Sequence, residues 1–478
     1  MTGFSALRPR RLARSKAASA FWHRNYRLFF VGQAISLIGT WVQQVAQGWL
    51  VLTLTNDPFW LGVVASAQFL PVMVLGLFAG VLADVLPKRQ TLLAVQVVMM
   101  ALAIVLTVLT LTGDVEVWMI IVLALLLGCA NAVDMPVRQA FAIEMVGVRD
   151  VGNAVAINSA MFNGARVIGP AVAGLTIGAF GMATAFALNA LSFLAVIVSL
   201  GVMRDTELHR PKLIPRPRSV SAVMENLAEG LRFVRHTPIV LMAVTTVGLT
   251  ATFGMNFQVV IPPLAQDALG SDAAGFGFLM AASGLGALAA AIGLVLSGKP
   301  RPIRIALGAI VLGVASLLLA TSTSYPLSLL LMVPVGAGGI VMAATANATI
   351  QLAVPDGLRG RVMSVYTTVF SASMPIGGLL MGVLASSIGI LEAIAIGGAL
   401  SLLTGLIALV WWRRVARPST AGGEEVRGVP AVEVPEVAEA PAVAEAPASA
   451  TSIGQSTEPS TSAAFSPPNP NEVLSTRR

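Results

Sequence analysis

Cysteine, histidine and charge are all scarce in this chain, and each shortage removes a class of function. The single cysteine, Cys129, sits in an apolar run, which excludes an intramolecular disulfide and a cysteine metal cluster. The three histidines, His23, His209 and His236, fall in hydrophilic segments, so neither a histidine metal site nor an intramembrane proton relay is expected. No metal site or cofactor is expected at all. No Walker A pattern is present, which excludes a self-contained ATP-driven pump. No nucleophile–base pair or phosphate loop points to an enzyme. Charged residues are 11% of the 478, against about 25% in soluble domains.

What fills the chain instead is apolar. Hydrophobic residues make up 56% and mean hydropathy is +0.82. Spans of about 20 apolar residues, enough to cross a bilayer as a helix, recur along the sequence. Twelve are expected, at 28–54, 59–83, 91–112, 117–137, 154–178, 183–203, 239–262, 273–298, 303–321, 325–350, 363–388 and 391–412. The alternating ten-residue segments of a barrel are missing. The fold class is therefore an all-α membrane protein with twelve transmembrane helices. The domains expected are a basic N-terminus (1–27), six helices (28–203), a linker (204–238), six more helices (239–412) and a tail (413–478). Beyond 418 the tail is rich in Pro, Ala, Glu, Ser and Thr and reads as disordered.

The net charge of +7 is distributed in a way that fixes orientation. Of the 30 Lys and Arg residues, 29 lie before the first span or after spans 2, 4, 6, 8, 10 and 12. The alternate connections hold none. By the positive-inside rule both termini and the linker are cytoplasmic, in a cell (plasma or inner) membrane. Nucleic-acid binding is the weaker explanation of the basic balance. Residues 1–27 precede a full-length apolar run with no A-x-A-like site and read as part of an uncleaved signal anchor. In the linker, Val220, Val223, Leu227, Leu231 and Val234 predict an amphipathic helix over Ser219–Pro238, with Ser219 as its cap.

The thirtieth basic residue is Arg166, inside span 5. An arginine at mid-bilayer costs roughly 2.5–3.5 kcal/mol on insertion scales, so it is expected to face protein or water. Close after it stands Gly169-Pro170, a step that loosens a helix. Met161–Gly174 can be laid over Tyr366–Leu379 so that Pro170 meets Pro375 and Arg166 meets Ser371. Both stretches belong to the fifth span of their half, which suggests two parallel six-helix repeats. The bend is shared by the halves; the arginine is not. Gly169, Pro170 and Pro375 are therefore assigned to conformational change. Arg166 is the substrate or coupling candidate, with a purely structural tie between helices as its alternative.

Other polar residues within spans extend that candidate set. Gln33, Thr40, Gln44 and Gln47 lie along one face of span 1, and Asn163, Asn256 and Asn347 join them, with Gln68 and Gln258. Such groups are interhelical glue, cavity lining or both. Trp41, Phe162 and Met374 line the cavity or simply pack. Apolar walls with a few polar groups suit a bulky, moderately lipophilic small molecule. Carboxylates are nearly absent from the spans: Asp134 near the end of span 4 is the coupling candidate, and Glu392 lies at a span end. Asp134 is expected to pair with Arg138 one turn on rather than with Arg166, roughly 18 Å deep at 1.5 Å per residue.

Gly76 to Gln90 reads G-L-F-A-G-V-L-A-D-V-L-P-K-R-Q. Gly76 and Gly80, four apart, admit a close neighbour, and Asp84, Lys88 and Arg89 place opposite charges in a tight turn. The stretch resembles the signature between helices 2 and 3 of the major facilitator superfamily, with Pro87 where a glycine is usual. Ala130–Phe141, the Arg166 stretch, Glu229–Arg235 and Leu358–Ser364 resemble its bacterial branch of enterobactin exporters and macrolide-efflux proteins. That resemblance implies two six-helix pseudo-repeat bundles, alternating access and export by proton antiport, with the proton gradient as energy source. It also implies that Asp84 latches the cytoplasmic side against helix 11 near Arg361–Ser364. The expected function is a secondary active exporter of a hydrophobic drug-like or siderophore-like molecule. The expected partners are that substrate and the lipid bilayer, and the expected state is a monomer. A lysolipid or lipid flippase of the same fold, or a non-transporting receptor or scaffold, are the alternatives.

Overall fold

The computed structural model describes residues 16–209, 220–298 and 300–415. The side chains of 77–85 and 220–223 are outside the described residues, and with them the contacts of Gly80 and the Asp84 latch. The Ser219 cap and the tail beyond 415 also lie outside the described residues.

Every described element is helical. The first half contains α1 (Arg24–Thr55), α2 (Pro58–Val85) and α3 (Lys88–Thr112), then a stretch Val117–Phe180 that divides at Gly147 into α4 (117–146) and α5 (148–180). It closes with α6 (Met182–Gly201). The linker helix is α7 (Val220–His236). The second half runs α8 (Pro238–Gly254), α9 (Phe257–Pro263), α10 (Ala273–Leu296), α11 (Ile303–Ala320), α12 (Tyr325–Ala353), α13 (Asp356–Ile388) and α14 (Ile390–Val415). Among the described residues, eleven stretches are long and apolar enough to cross a membrane, and one of them, Val117–Phe180, contains two helices. The twelve expected spans are all present.

The structure departs from the sequence expectation in two places. The charged stretch 138–153 is expected to be a loop, yet α4 and α5 continue through it as helix. Charge lowers hydropathy but not helix propensity, since Arg and Glu are good helix formers. Only Gly147, at φ +73°, interrupts the run, in the left-handed region where a side chain is costly. The second departure is span 7, expected as one helix over 239–262. It breaks at Met255–Asn256 between α8 and α9, and a wide turn over Leu264–Ala268 follows. Pro262 and Pro263 supply no backbone N–H, which is consistent with an irregular end to this span.

The motif cations tie elements of the first half together. Lys88 pairs with Glu144 of α4 at 2.8 Å. Arg89 covers the end of α6: its Nε donates to the Leu200 carbonyl at 2.8 Å and its Nη2 to that of Gly201 at 3.0 Å, while Nη1 pairs with Asp205. Those carbonyls have no partner within their own helix, so a cation is well placed there. In the second half, α7 lies on the bundle as a packed linker. Val234 is buried, Gly230 sits against the Arg361 carbonyl, and Glu229 pairs with Arg361 of α13. Leu231 remains exposed.

Among the described residues, the cores of the two halves merge at one end and form separate clusters at the other. At the end away from the basic segments, one apolar cluster draws on both halves, from Val42, Leu61 and Ala173 to Phe257, Leu279 and Met381. At the basic end there are two: one around Tyr26, Phe141 and Leu200 in the first half, another around Val247, Met342 and Val365 in the second. The halves meet chiefly through α5 against α10 and α2 against α13. These are the fifth helix of each half on the second helix of the other, as parallel repeats require.

Candidate functional site

The two junctions between halves are built on glycine. A Cβ on Gly277 of α10 would lie 2.4 Å from the Pro170 carbonyl oxygen, and one on Gly284 would lie 2.7 Å from that of Arg166. Gly174 meets the Ala274 backbone in the same way. At the other junction, a Cβ on Gly62 of α2 would lie 2.4 Å from the Gly378 carbonyl, and Ser66 Oγ donates to the Pro375 carbonyl at 2.7 Å. Pro170 and Pro375 thus occupy equivalent places, each where its half touches the other. Without hydrophobic drive between helices in lipid, such close backbone approach supplies the association. In the sequence this signal takes the form of small residues at spacings of four and seven (Gly378/Gly382, Gly277/Gly284), less conspicuous than Gly76 and Gly80. Among the described residues, Gly76 itself has no atom within 4 Å of where a Cβ would stand. Gly169 faces inward within its own half, against Trp41 of α1.

The same face of α5 changes environment along its length. At 100° per residue, Val155, Ser159, Phe162, Asn163 and Arg166 fall within about 100° of arc. Toward the remote end this arc continues into Pro170, Ala173, Gly174 and Ile177, all buried at or beside the α10 contact. Toward the basic end Val155, Ser159 and Phe162 are exposed and Asn163 is half-exposed. Arg166 stands at the transition between the buried and the exposed parts of this arc, its backbone against Gly284 of α10.

Arg166 is half-buried, and among the described residues nothing carboxylate-bearing or hydrogen-bonding partners its side chain. One turn before it on α5, Phe162 pairs with Trp41 of α1, ring centroids 5.9 Å apart. Gln44 and Gln47 of α1 come together with Gln68 of α2 and Gln258 of α9 around a small polar cleft. The Gln44 Oε1 atom is buried with no hydrogen-bond partner.

The other candidates are mostly satisfied within the protein. Asp134, about 1% exposed, pairs with Arg138 as expected and also accepts from Gln96 Nε2 at 3.0 Å, a partner the sequence did not suggest. It does not meet Arg166. Gln33 is buried in the first half, its Oε1 unpartnered, and Thr40 donates back to the Ser36 carbonyl at 2.9 Å. Asn163 donates to the Ser159 carbonyl, and Asn347 bonds Gln351 one turn away. Asn256 sits in the break between α8 and α9, where its Nδ2 donates to the Thr252 carbonyl at 2.6 Å and closes the end of α8. Gln43, beside the polar face of α1, holds Asn189 of α6 at 2.6 Å and is interhelical glue.

Comparison with known proteins agrees with this architecture. The family model described as transmembrane secretion effector matches residues 15–431. The multidrug efflux pump Tap of Mycolicibacterium fortuitum is 28% identical over 78% of this chain and 91% of its own. The staphyloferrin A transporter of Staphylococcus aureus is 26% identical over 78% of this chain and 92% of its own. Among solved structures, a POT family transporter in complex with 5-aminolevulinic acid superposes with a TM-score of 0.67 at 12% identity, covering 83% of this chain and 97% of that one. The fold, the two junctions between repeats and the family match agree: this chain belongs to the transmembrane secretion effector family of the major facilitator superfamily.

Proposed function

We propose that the chain exports amphipathic drug-like or siderophore-like small molecules across the bacterial inner membrane by alternating access. The observation that carries this reading is the split core, continuous at one end and divided around a cleft at the other. With the basic segments cytoplasmic, that cleft opens to the cytoplasm, where an exporter collects its substrate. Exchange of the glycine junctions for contacts at the basic end would turn the cleft outward. A relative named as a multidrug efflux pump supports the direction, and it and one named as a staphyloferrin A transporter support the substrate class. The proton gradient is the proposed energy source. Asp134 is already held by Arg138 and Gln96, so coupling through the substrate's own charge fits the cleft better than coupling through this carboxylate.

The test is the full chain in liposomes, inserted with the basic face outward. Uptake of a panel of labelled drugs and siderophores is followed with the lumen acidified and after collapse of the gradient by an ionophore. Uptake above empty liposomes that falls on collapse is the expected result. Uptake indifferent to the gradient removes the proton, and no uptake of any compound removes the exporter.

A further inference from the structure

Resting on the reading of the cleft as a substrate path, we infer that its ligand is an amphipathic anion, whose charged group meets Arg166. Arg166 offers one guanidinium and, among the described residues of the α5 face, there is nothing to neutralise it. A half-buried cation within a span, with no protein counter-charge, is costly to keep unless a ligand supplies one. The fork of a guanidinium matches the two oxygens of a carboxylate, or those of a phosphate. Beside it, the Trp41–Phe162 pair offers an apolar surface for the rest of the molecule. A cationic ligand would meet like charge at Arg166. This also gives a physical account of transport with so few acidic groups in the spans: outward movement of an anion is itself favoured by a membrane potential negative inside.

The measurement compares three pyrene probes of equal size: 1-pyrenebutyrate, its uncharged methyl ester and the corresponding butyltrimethylammonium cation. Binding to the purified full-length protein is read by energy transfer from tryptophan, and transport of each probe is followed in liposomes. The carboxylate should bind at least tenfold tighter than the ester, the range expected of a hydrogen-bonded charge, and the cation most weakly. Arg166→Gln should bring the carboxylate down to the level of the ester without weakening the ester itself. Arg166→Lys should restore part of the difference. Displacement by lysophosphatidylglycerol but not by lysophosphatidylcholine would assign the anion to a lipid phosphate, and displacement by neither to a soluble carboxylate; both are anion sites if lost in Arg166→Gln. Equal binding of the three probes to the wild-type protein, or preference for the cation, overturns the inference while leaving the exporter intact. Failure to bind or move any of the three, while the drug and siderophore panel is transported, also overturns it. If nothing at all is transported, the exporter reading itself fails. The wild-type comparison stands whether or not the variants fold.

Discussion

Replacing Gly277 with leucine should cut transport by roughly fivefold to a hundredfold while leaving a folded protein. A Cβ at this position already lies 2.4 Å from the Pro170 carbonyl oxygen and 2.8 Å from the Gly174 Cα. These are backbone atoms of a helix, which cannot rotate aside as a flexible side chain can. Overpacking of this kind costs about 1–3 kcal/mol. Here the cost falls on a junction between halves, not within one, so it penalises the state in which the remote end is closed. Each half keeps its own core at the basic end, which preserves the fold. At 1.4 kcal/mol per factor of ten, the closed state becomes rarer by the stated range, and a cycle that must pass through it slows in proportion. Gly178→Ala on α5 is the control. Its Cβ would meet Ala274 at an ordinary 3.9 Å, and transport should stay near wild type. Transport rates in liposomes and size-exclusion profiles check both. Wild-type transport by Gly277→Leu would show that the α5–α10 junction does not form during the cycle.

The second large effect concerns stability. Asp134→Ala should destabilise the first half by about 2 kcal/mol. Breaking a buried ion pair costs about 3–5 kcal/mol when the partner is left buried. The Arg138 side chain is 26% exposed and can turn to water, so the lower figure applies. Gln96 loses its acceptor as well. Asp134→Asn keeps an oxygen for Gln96 and should cost about half as much, in line with one hydrogen bond retained. Unfolding in mixed micelles measures both. The same two variants separate structure from coupling. A structural carboxylate predicts transport that follows the amount of folded protein. A coupling carboxylate predicts that Asp134→Asn folds like wild type and loses gradient-driven transport.

Much of the architecture was legible in the residues. The apolar spans, the alternation of basic segments and the Pro170–Pro375 repeat follow from properties each residue carries locally. The Asp134–Arg138 pair was legible for the same reason, being one helical turn apart. Contacts between distant helices were not. Gln96 and Asp134 are 38 residues apart, and nothing in either stretch names the other. Gly277 gains its meaning only from Pro170 standing opposite it. The continuity of α4 and α5 was hidden because charge in a helix extending beyond the bilayer looks, in sequence, like charge in a loop. The break at Asn256 was hidden because the apolar run of the span continues on both sides of it. Which end of the protein is closed is a property of how the halves pack, not of any one span. Arg166 was conspicuous as a charge, but its place where the buried α5–α10 contact gives way to exposed residues emerged only from the packing of α10.

The cleft as substrate path is tested most directly at Ser159, exposed on the α5 face between Arg166 and the basic end. In a Cys129→Ser background, Ser159→Cys is treated with a bulky, membrane-impermeant maleimide in vesicles of each orientation, and transport is then measured. The structure predicts labelling from the basic face, none from the opposite face at rest, and at least a tenfold loss of transport once labelled. Full labelling with transport unchanged would contradict it.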